Sequence, residues 1–234
     1  MIDVRSFESL GHADHGWLNA RHHFSFADYF DPERTRFGAL RVWNDDLIAA
    51  QTGFDMHPHR DMEIITYLRQ GAVSHQDSLG NRGRTRQGEV QVMSAGTGIV
   101  HAEHNREDGP LRLFQIWIEP DRAGHQPRWE TRSFDTPARE GRFEVLVSGR
   151  GGEAHDGALF IHQDAALSAT VLNKGEQAVY PLEKGRKAYV VPARGVIEVN
   201  GVALSERSGA AIDEEDGIVV KAREDSEVVL VDVP

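Results

Sequence analysis

Short β-type runs broken by turn residues constrain this chain more than any other feature of its sequence. Gly38–Trp43 alternates roughly with period two, and Met62–Leu68, Glu89–Met93, Leu111–Ile118 and Phe143–Val147 are rich in β-branched and aromatic residues. The same texture returns over 158–161, 168–172, 187–191, 196–199, 218–221 and 227–231. Gly80-Asn81, Asn200-Gly201 and Asp216-Gly217 supply turns, and Asn200-Gly201 between two valines is a two-residue hairpin signal. Many short strands at near-regular spacing predict an all-β chain built as an antiparallel sandwich or barrel. No long segment has helical period; short helices are expected only near Phe26–Tyr29 and Pro32–Arg36.

A chain of 234 residues accommodates one large or two small domains. Glu119–Arg142 holds three of the nine prolines, many charges and no strand pattern, and reads as a linker. The division is then 1–120, a linker over 121–142, and 143–234. Ten of the twelve histidines precede Arg128, so histidine chemistry belongs to the first domain. The absence of cysteine excludes disulfides, Cys-ligated zinc, iron–sulfur clusters and thiol catalysis. A formal net charge of −11 argues against nucleic-acid and anionic-membrane partners. No segment approaches the ~20 apolar residues of a spanning helix, and Met1–Leu18 lacks a signal-peptide apolar stretch, so a cytoplasmic location is expected.

His57-Pro58-His59 places two imidazoles on one face of an extended strand, because residues i and i+2 point the same way. Alone this is weak: twelve histidines in 234 residues produce a His-x-His about 0.6 times by chance. His101-Ala102-Glu103 repeats the geometry after the turn-forming Gly96-Thr97-Gly98. Two such strands can close a His₃Glu site inside a barrel, with coordination positions left open, for Fe, Zn, Cu, Ni or Mn.

The run from Gly53 through His57-Pro58-His59 to Gly71 resembles the first cupin motif, and Gly88–Asn105 resembles the second. Both, together with Arg21–Pro32, Leu40–Asp46, His75–Asn81 and Phe114–Ile118, are similar to the pirin family, a bicupin branch of that superfamily. The likeness is dense over roughly residues 12–130 and rests afterwards on strand pattern and length. It implies two antiparallel jelly-roll β-barrels joined by an extended linker. It also implies one metal held by His57, His59, His101 and Glu103, in a chain like the small bacterial pirins described as quercetin 2,3-dioxygenases. Ala102 stands where pirins usually carry Ser. Glu63, the glutamate of the generic first cupin motif, competes with Glu103 as a ligand; Glu103 is favoured because it shares a strand face with His101.

The expected activity is a metal-dependent dioxygenase acting on a planar aromatic flavonol and dioxygen, with Glu103 as base and Fe(II) as the favoured metal. Phe24, Phe26 and Met62 are expected as pocket walls, and Gln115 as a hydrogen-bond donor behind the site or a satisfied core residue. His22 and His23 either cover the mouth of the site or serve the fold. His104 and His125 are expected at the surface, Arg82, Arg84 and Arg86 on a solvated edge. His155 and His162, without paired carboxylates, leave the second domain without a metal. A monomer is expected. The alternative is a pirin-type regulator acting through a protein partner.

Overall fold

In strand Leu111–Ile118 successive side chains leave in opposite directions, and both directions are buried. Phe114, Ile116 and Ile118 enter one apolar cluster, Leu111 and Leu113 another, while Gln115 and Trp117 face a cavity. This two-sided strand summarises the architecture. The computed structural model describes residues 1–134, 139–152 and 157–234, with twenty-two strands and only short 3₁₀ turns among them.

The strands form two lobes, each a seven-stranded sheet facing a four-stranded one. In the first lobe the large sheet runs, from edge to edge, Arg128–Ser133, Glu89–Ser94, Glu63–Gln70, Leu111–Ile118, Leu40–Ile48, Leu18–His22 and Gly11–Asp14. The small sheet runs Thr52–His59, Ile99–Asn105, Ala72–Asp77 and Arg82–Arg86. The second lobe repeats the plan with Gln177–Tyr180, Ile218–Ala222, Ile197–Val199 and Val202–Leu204 as its small sheet. The lobes are jelly-roll sandwiches of paired sheets and not barrels closed by continuous hydrogen bonding. Pairing among the described strands is antiparallel, except that Glu144–Ser148 runs parallel to Leu159–Phe160.

The two large sheets pack on each other. Trp43, Ile65, Phe114 and Ile116 from the first and Tyr189, Val191, Val229 and Val231 from the second share one cluster with almost no exposed area. Burying such side chains stabilises by about 1.5–3 kcal/mol each, so neither large sheet is complete without the other. Inside the second lobe Leu172, Ile197, Val220, Val228 and Leu230 fill the space between the sheets. The corresponding space in the first lobe is apolar at both ends, around Ile48, Leu68 and Val73 and around Ile64, Met93 and Ile99, and polar between them.

Two strands cross the apparent division. Ile2–Arg5 pairs with Gly209–Ile212, so the N-terminus completes the second lobe's sheet. Arg128–Ser133 pairs with Glu89–Ser94, inside the stretch that shows no strand pattern in the sequence. The polar Arg-Trp-Glu-Thr-Arg-Ser sequence hides it because it is an edge strand, half-exposed along its length. Phe26–Tyr29 and Pro32–Arg36 are not helical; Phe26 and Tyr29 instead form a tight β-bridge. The hairpin at Asn200-Gly201 forms with φ of 47° and 83°, both positive as a type I′ turn requires.

Candidate metal centre

Thr52–His59 and Ile99–Asn105 are antiparallel neighbours, with His101 opposite His57 and Ile99 opposite His59. The turn before the second strand closes with the Gly98 N–H donating to the Ala95 carbonyl at 2.9 Å. Gly96 there lies so close to the His125 carbonyl that a Cβ would stand 2.0 Å from its oxygen, so only glycine fits. A register shift between His101 and Glu103 leaves both side chains buried on the cavity side. The rings of His57, His59 and His101 lie 4.4–5.0 Å apart, and one nitrogen from each falls within 4.8 Å of the others.

The protonation states favour a cation. His57 Nδ1 donates to the Asp55 carbonyl at 2.7 Å, which leaves Nε2 as the nitrogen available to a metal. Burial, reinforced by the neighbouring imidazoles, lowers His59 to about 4 and His101 to about 3. Both are therefore neutral at pH 7. Both ring nitrogens of His101 are buried without a hydrogen-bond partner. Buried polar atoms are ordinarily satisfied; converging neutral imidazoles with unmet lone pairs fit a divalent metal.

Glu103 is held from behind by a polar rung that crosses the large sheet. His22, Asn44, Gln115, Thr66, Gln91 and Thr131 are paired register partners on six successive strands. Gln115 Nε2 donates to Glu103 Oε2 at 2.9 Å, and Gln91 Nε2 donates to Glu103 Oε1. Thr66 Oγ1 donates to Gln115 Oε1 at 3.0 Å and accepts from Gln91 at 3.2 Å, which ties the two amides together. Trp129 Nε1 donates to Gln91 Oε1 at 3.2 Å.

His57, His59, His101 and Glu103 all line one cavity of about 240 Å³, walled also by Phe26, Phe54, Ile64 and Trp117. A wider outer chamber of about 550 Å³ shares Leu18, Ala20, His22, Phe26 and Phe54 with it and adds Trp17 and Tyr29. Asp46 lies at the inner chamber, 4% exposed, and its Oδ1 has no partner. Burial, with Asp45 and Glu103 adding repulsion, raises its carboxyl to about 8.

The geometric group around Glu103 consists of His75, His101 and Glu103 and shares His101 with the three-histidine group. His75 is a residue that the sequence reasoning passed over. It faces Glu103 in register, its Nε2 lies 3.1 Å from Asp77 Oδ2, and its ring stacks at 4.8 Å on Trp129. The overlooked signal is that His75-x-Asp77 has the same i, i+2 spacing as the other two pairs.

Several expected positions differ. Phe24 is not a pocket wall: it is fully buried between the lobes, 5.1 Å from the Tyr189 ring. Met62 packs beside Ile64 and Met93 and does not reach the cavity. Glu63 points the other way from Ile64 and Thr66, as period two dictates, and accepts from Ser94 Oγ at 2.7 Å. Burial raises Glu63 to about 7. His125 is buried, stacked at 3.8 Å on His162 and 2.5 Å from Asp121 Oδ1. Phe26 and Gln115 do line the cavity, as does His22, which is hydrogen-bonded to Asn44 at 2.8 Å. His23 is in the core on the Tyr189 hydroxyl at 2.9 Å. His104 is half-buried beside Asp55. Arg82, Arg84 and Arg86 are exposed on an edge strand. His155 and residues 135–138 of the expected linker lie outside the described residues.

The chain matches the family model described as Pirin over residues 3–118 and that described as Quercetinase C-terminal cupin domain over 145–233. A Pseudomonas aeruginosa protein provisionally named quercetin 2,3-dioxygenase is 61% identical over 233 residues, covering 100% of both chains. The quercetin 2,3-dioxygenase of Escherichia coli K12 is 47% identical, covering 100% of this chain and 99% of its own. The crystal structure of bacterial pirin YhhW of Escherichia coli in complex with nickel(II) superposes with a TM-score of 0.94 at 46% identity, covering 100% and 99% of the two chains. With matching family models on both lobes and relatives of this identity along its whole length, the chain belongs to the pirin family of bicupins.

Proposed function

We propose that this protein is a metal-dependent dioxygenase that cleaves flavonols such as quercetin, with one divalent metal on His57, His59, His101 and Glu103. The observation that carries the reading is the set of unmet imidazole nitrogens beside a fixed carboxylate, opening into an apolar cavity. The relatives named quercetin 2,3-dioxygenase support the substrate class. Fe(II) is the favoured metal because three imidazoles and one carboxylate with open positions suit a non-haem oxygenase; the related Escherichia coli pirin in complex with nickel(II) supports nickel as a further candidate.

A bound metal would polarise the flavonol 3-hydroxyl and 4-carbonyl and lower the pKa of the hydroxyl. The chain's own residues supply the rest. Glu103 takes the 3-hydroxyl proton; each of its oxygens accepts only one amide N–H in the structure and keeps a second lone pair. Gln91 and Gln115 keep that carboxylate from swinging away. Phe26, Phe54, Ile64 and Trp117 hold the planar rings and exclude water. Dioxygen then adds to the electron-rich enolate, both oxygen atoms enter the product, and the C3 carbon leaves as carbon monoxide.

The test is quercetin consumption with carbon monoxide release by Fe(II)-reconstituted protein, alongside His101→Ala. Turnover by the parent and none by the variant is expected. A parent that retains one metal per chain and consumes no flavonol overturns the activity.

A further inference from the structure

Beyond the metal ligands, two buried polar groups on the cavity wall have no partner, the Trp117 Nε1 donor and the Asp46 carboxyl, and of these only Asp46 can accept a hydrogen bond. Asp46 sits mid-strand in Leu40–Ile48, between Ala20 and Leu113 in register, and is 4% exposed. Its neighbour Asp45 faces the other side of the sheet and is bound by Arg69, at 2.8 Å, and by Arg207 of the second lobe. Asp46 has no such partner, and its Oδ1 is buried with no hydrogen bond. Leaving a buried acceptor unmet is costly, so a carboxyl kept in that condition beside a ligand cavity points to a ligand group that satisfies it.

The placement says which group. The histidines come from the small sheet, whereas Asp46 comes from the large sheet across the cavity. Asp46 is absent from the walls of the outer chamber, so it belongs to the deep end. The inner chamber of about 240 Å³ is below the ~300–1,000 Å³ of sites for drug-sized ligands. A three-ring ligand therefore extends into the outer chamber and presents one ring edge to the deep wall. The other hydrogen-bond acceptors on that wall are engaged, Asn44 with His22 and Gln115 with Glu103 and Thr66, and the unpartnered Trp117 Nε1 is a donor only.

We infer that Asp46 accepts a hydrogen bond from a ring hydroxyl of the substrate, one distinct from the 3-hydroxyl, and so selects polyhydroxylated aromatics over their deoxygenated analogues. A carboxyl oxygen accepts from a phenol in either protonation state, so the contact does not depend on titration. A site built to pair with a hydroxyl rejects the analogue that lacks it, because the buried group is then left unmet. The inference rests on the flavonol reading for its ligand class.

The test is anaerobic calorimetric titration of the metal-loaded protein with quercetin and with 3-hydroxyflavone, which keeps the 3-hydroxyl and 4-carbonyl but lacks the other hydroxyls. Fisetin and galangin locate the group, since they lack the 5-hydroxyl and the second-ring hydroxyls respectively. The parent is expected to favour quercetin by about 10–100-fold. Asp46→Leu should reduce that preference to within about threefold while retaining metal, and Asp46→Asn, which keeps an acceptor oxygen, should preserve most of it. A merely structural Asp46 leaves the preference unchanged in a Leu variant that still folds and binds metal; that result, or a parent with no preference, overturns the inference. Turnover is read in parallel. Discrimination without cleavage defeats the dioxygenase reading and leaves this one standing. Cleavage with an unchanged preference in Asp46→Leu does the reverse.

Discussion

Gln115→Leu isolates what the polar rung does for the metal centre. The substitution keeps the side chain's bulk but removes the amide that donates to Glu103 Oε2 at 2.9 Å and the oxygen that accepts from Thr66 at 3.0 Å. Glu103 is 3% exposed, so water does not replace the lost donor freely. A hydrogen bond to a charged group contributes about 1.5–3 kcal/mol, which corresponds to about 10–100-fold in an equilibrium constant. Loss of a residue that orients a metal ligand typically lowers affinity by a similar factor, about 10–100-fold. The lost Thr66 contact adds about 1 kcal/mol of destabilisation to the fold. The assay is competition for Fe(II) or Ni(II) against a chelator of known affinity, with urea denaturation in parallel. Gln91→Leu should act in the same direction, and the double variant should cost less than the sum, because Thr66 joins the two amides. Parent-like metal affinity in Gln115→Leu, with affinity lost in Glu103→Gln, would show that the carboxylate needs no support from the sheet and would refute the reasoning.

His57→Ala should lose metal and turnover with an unchanged far-ultraviolet spectrum, whereas Glu63→Gln should keep both, since Glu63 faces Ser94 away from the cavity; metal loss in Glu63→Gln would reassign the ligand set. Glu63 also sets a pH dependence. Its folded pKa, about 7, stands above the ordinary 4.5, so its stabilisation is full below pH 4.5 and is lost as pH rises through 7. Glu63→Gln should flatten urea stability between those limits by a few kcal/mol at most, at ~1.4 kcal/mol per unit; parallel parent and variant curves contradict this. Gly83→Ala would put a Cβ 2.1 Å from Trp129 Cη2, displacing the ring that stacks on His75 and donates to Gln91. It should destabilise by about 1–3 kcal/mol, read as a lowered denaturation midpoint.

Local spacing was legible without a structure. The i, i+2 pairs His57/His59 and His101/Glu103 follow from strand period alone, as does the hairpin at Asn200-Gly201, where two consecutive positive φ angles suit only a few residue types. Recurrent β-branched runs were enough for the all-β class. What the linear pattern does not contain is which strands become neighbours and which of two buried faces a residue takes. Leu111–Ile118 is buried on both sides, so nothing in its sequence distinguishes the face carrying Gln115 from that carrying Phe114; the packing of two large sheets decides it. The same ambiguity made Phe24 look like a pocket wall, whereas Glu63 looked like a rival ligand through the generic cupin motif, which does not say which face of the strand it takes. Arg128–Ser133 and Ile2–Arg5 are strands only because an open sheet edge across the molecule offers them hydrogen bonds. The rung from His22 to Thr131 draws one residue from each of six strands scattered over more than a hundred positions. Each of those residues is an ordinary polar side chain in its own segment, and only the register of the sheet aligns them behind Glu103.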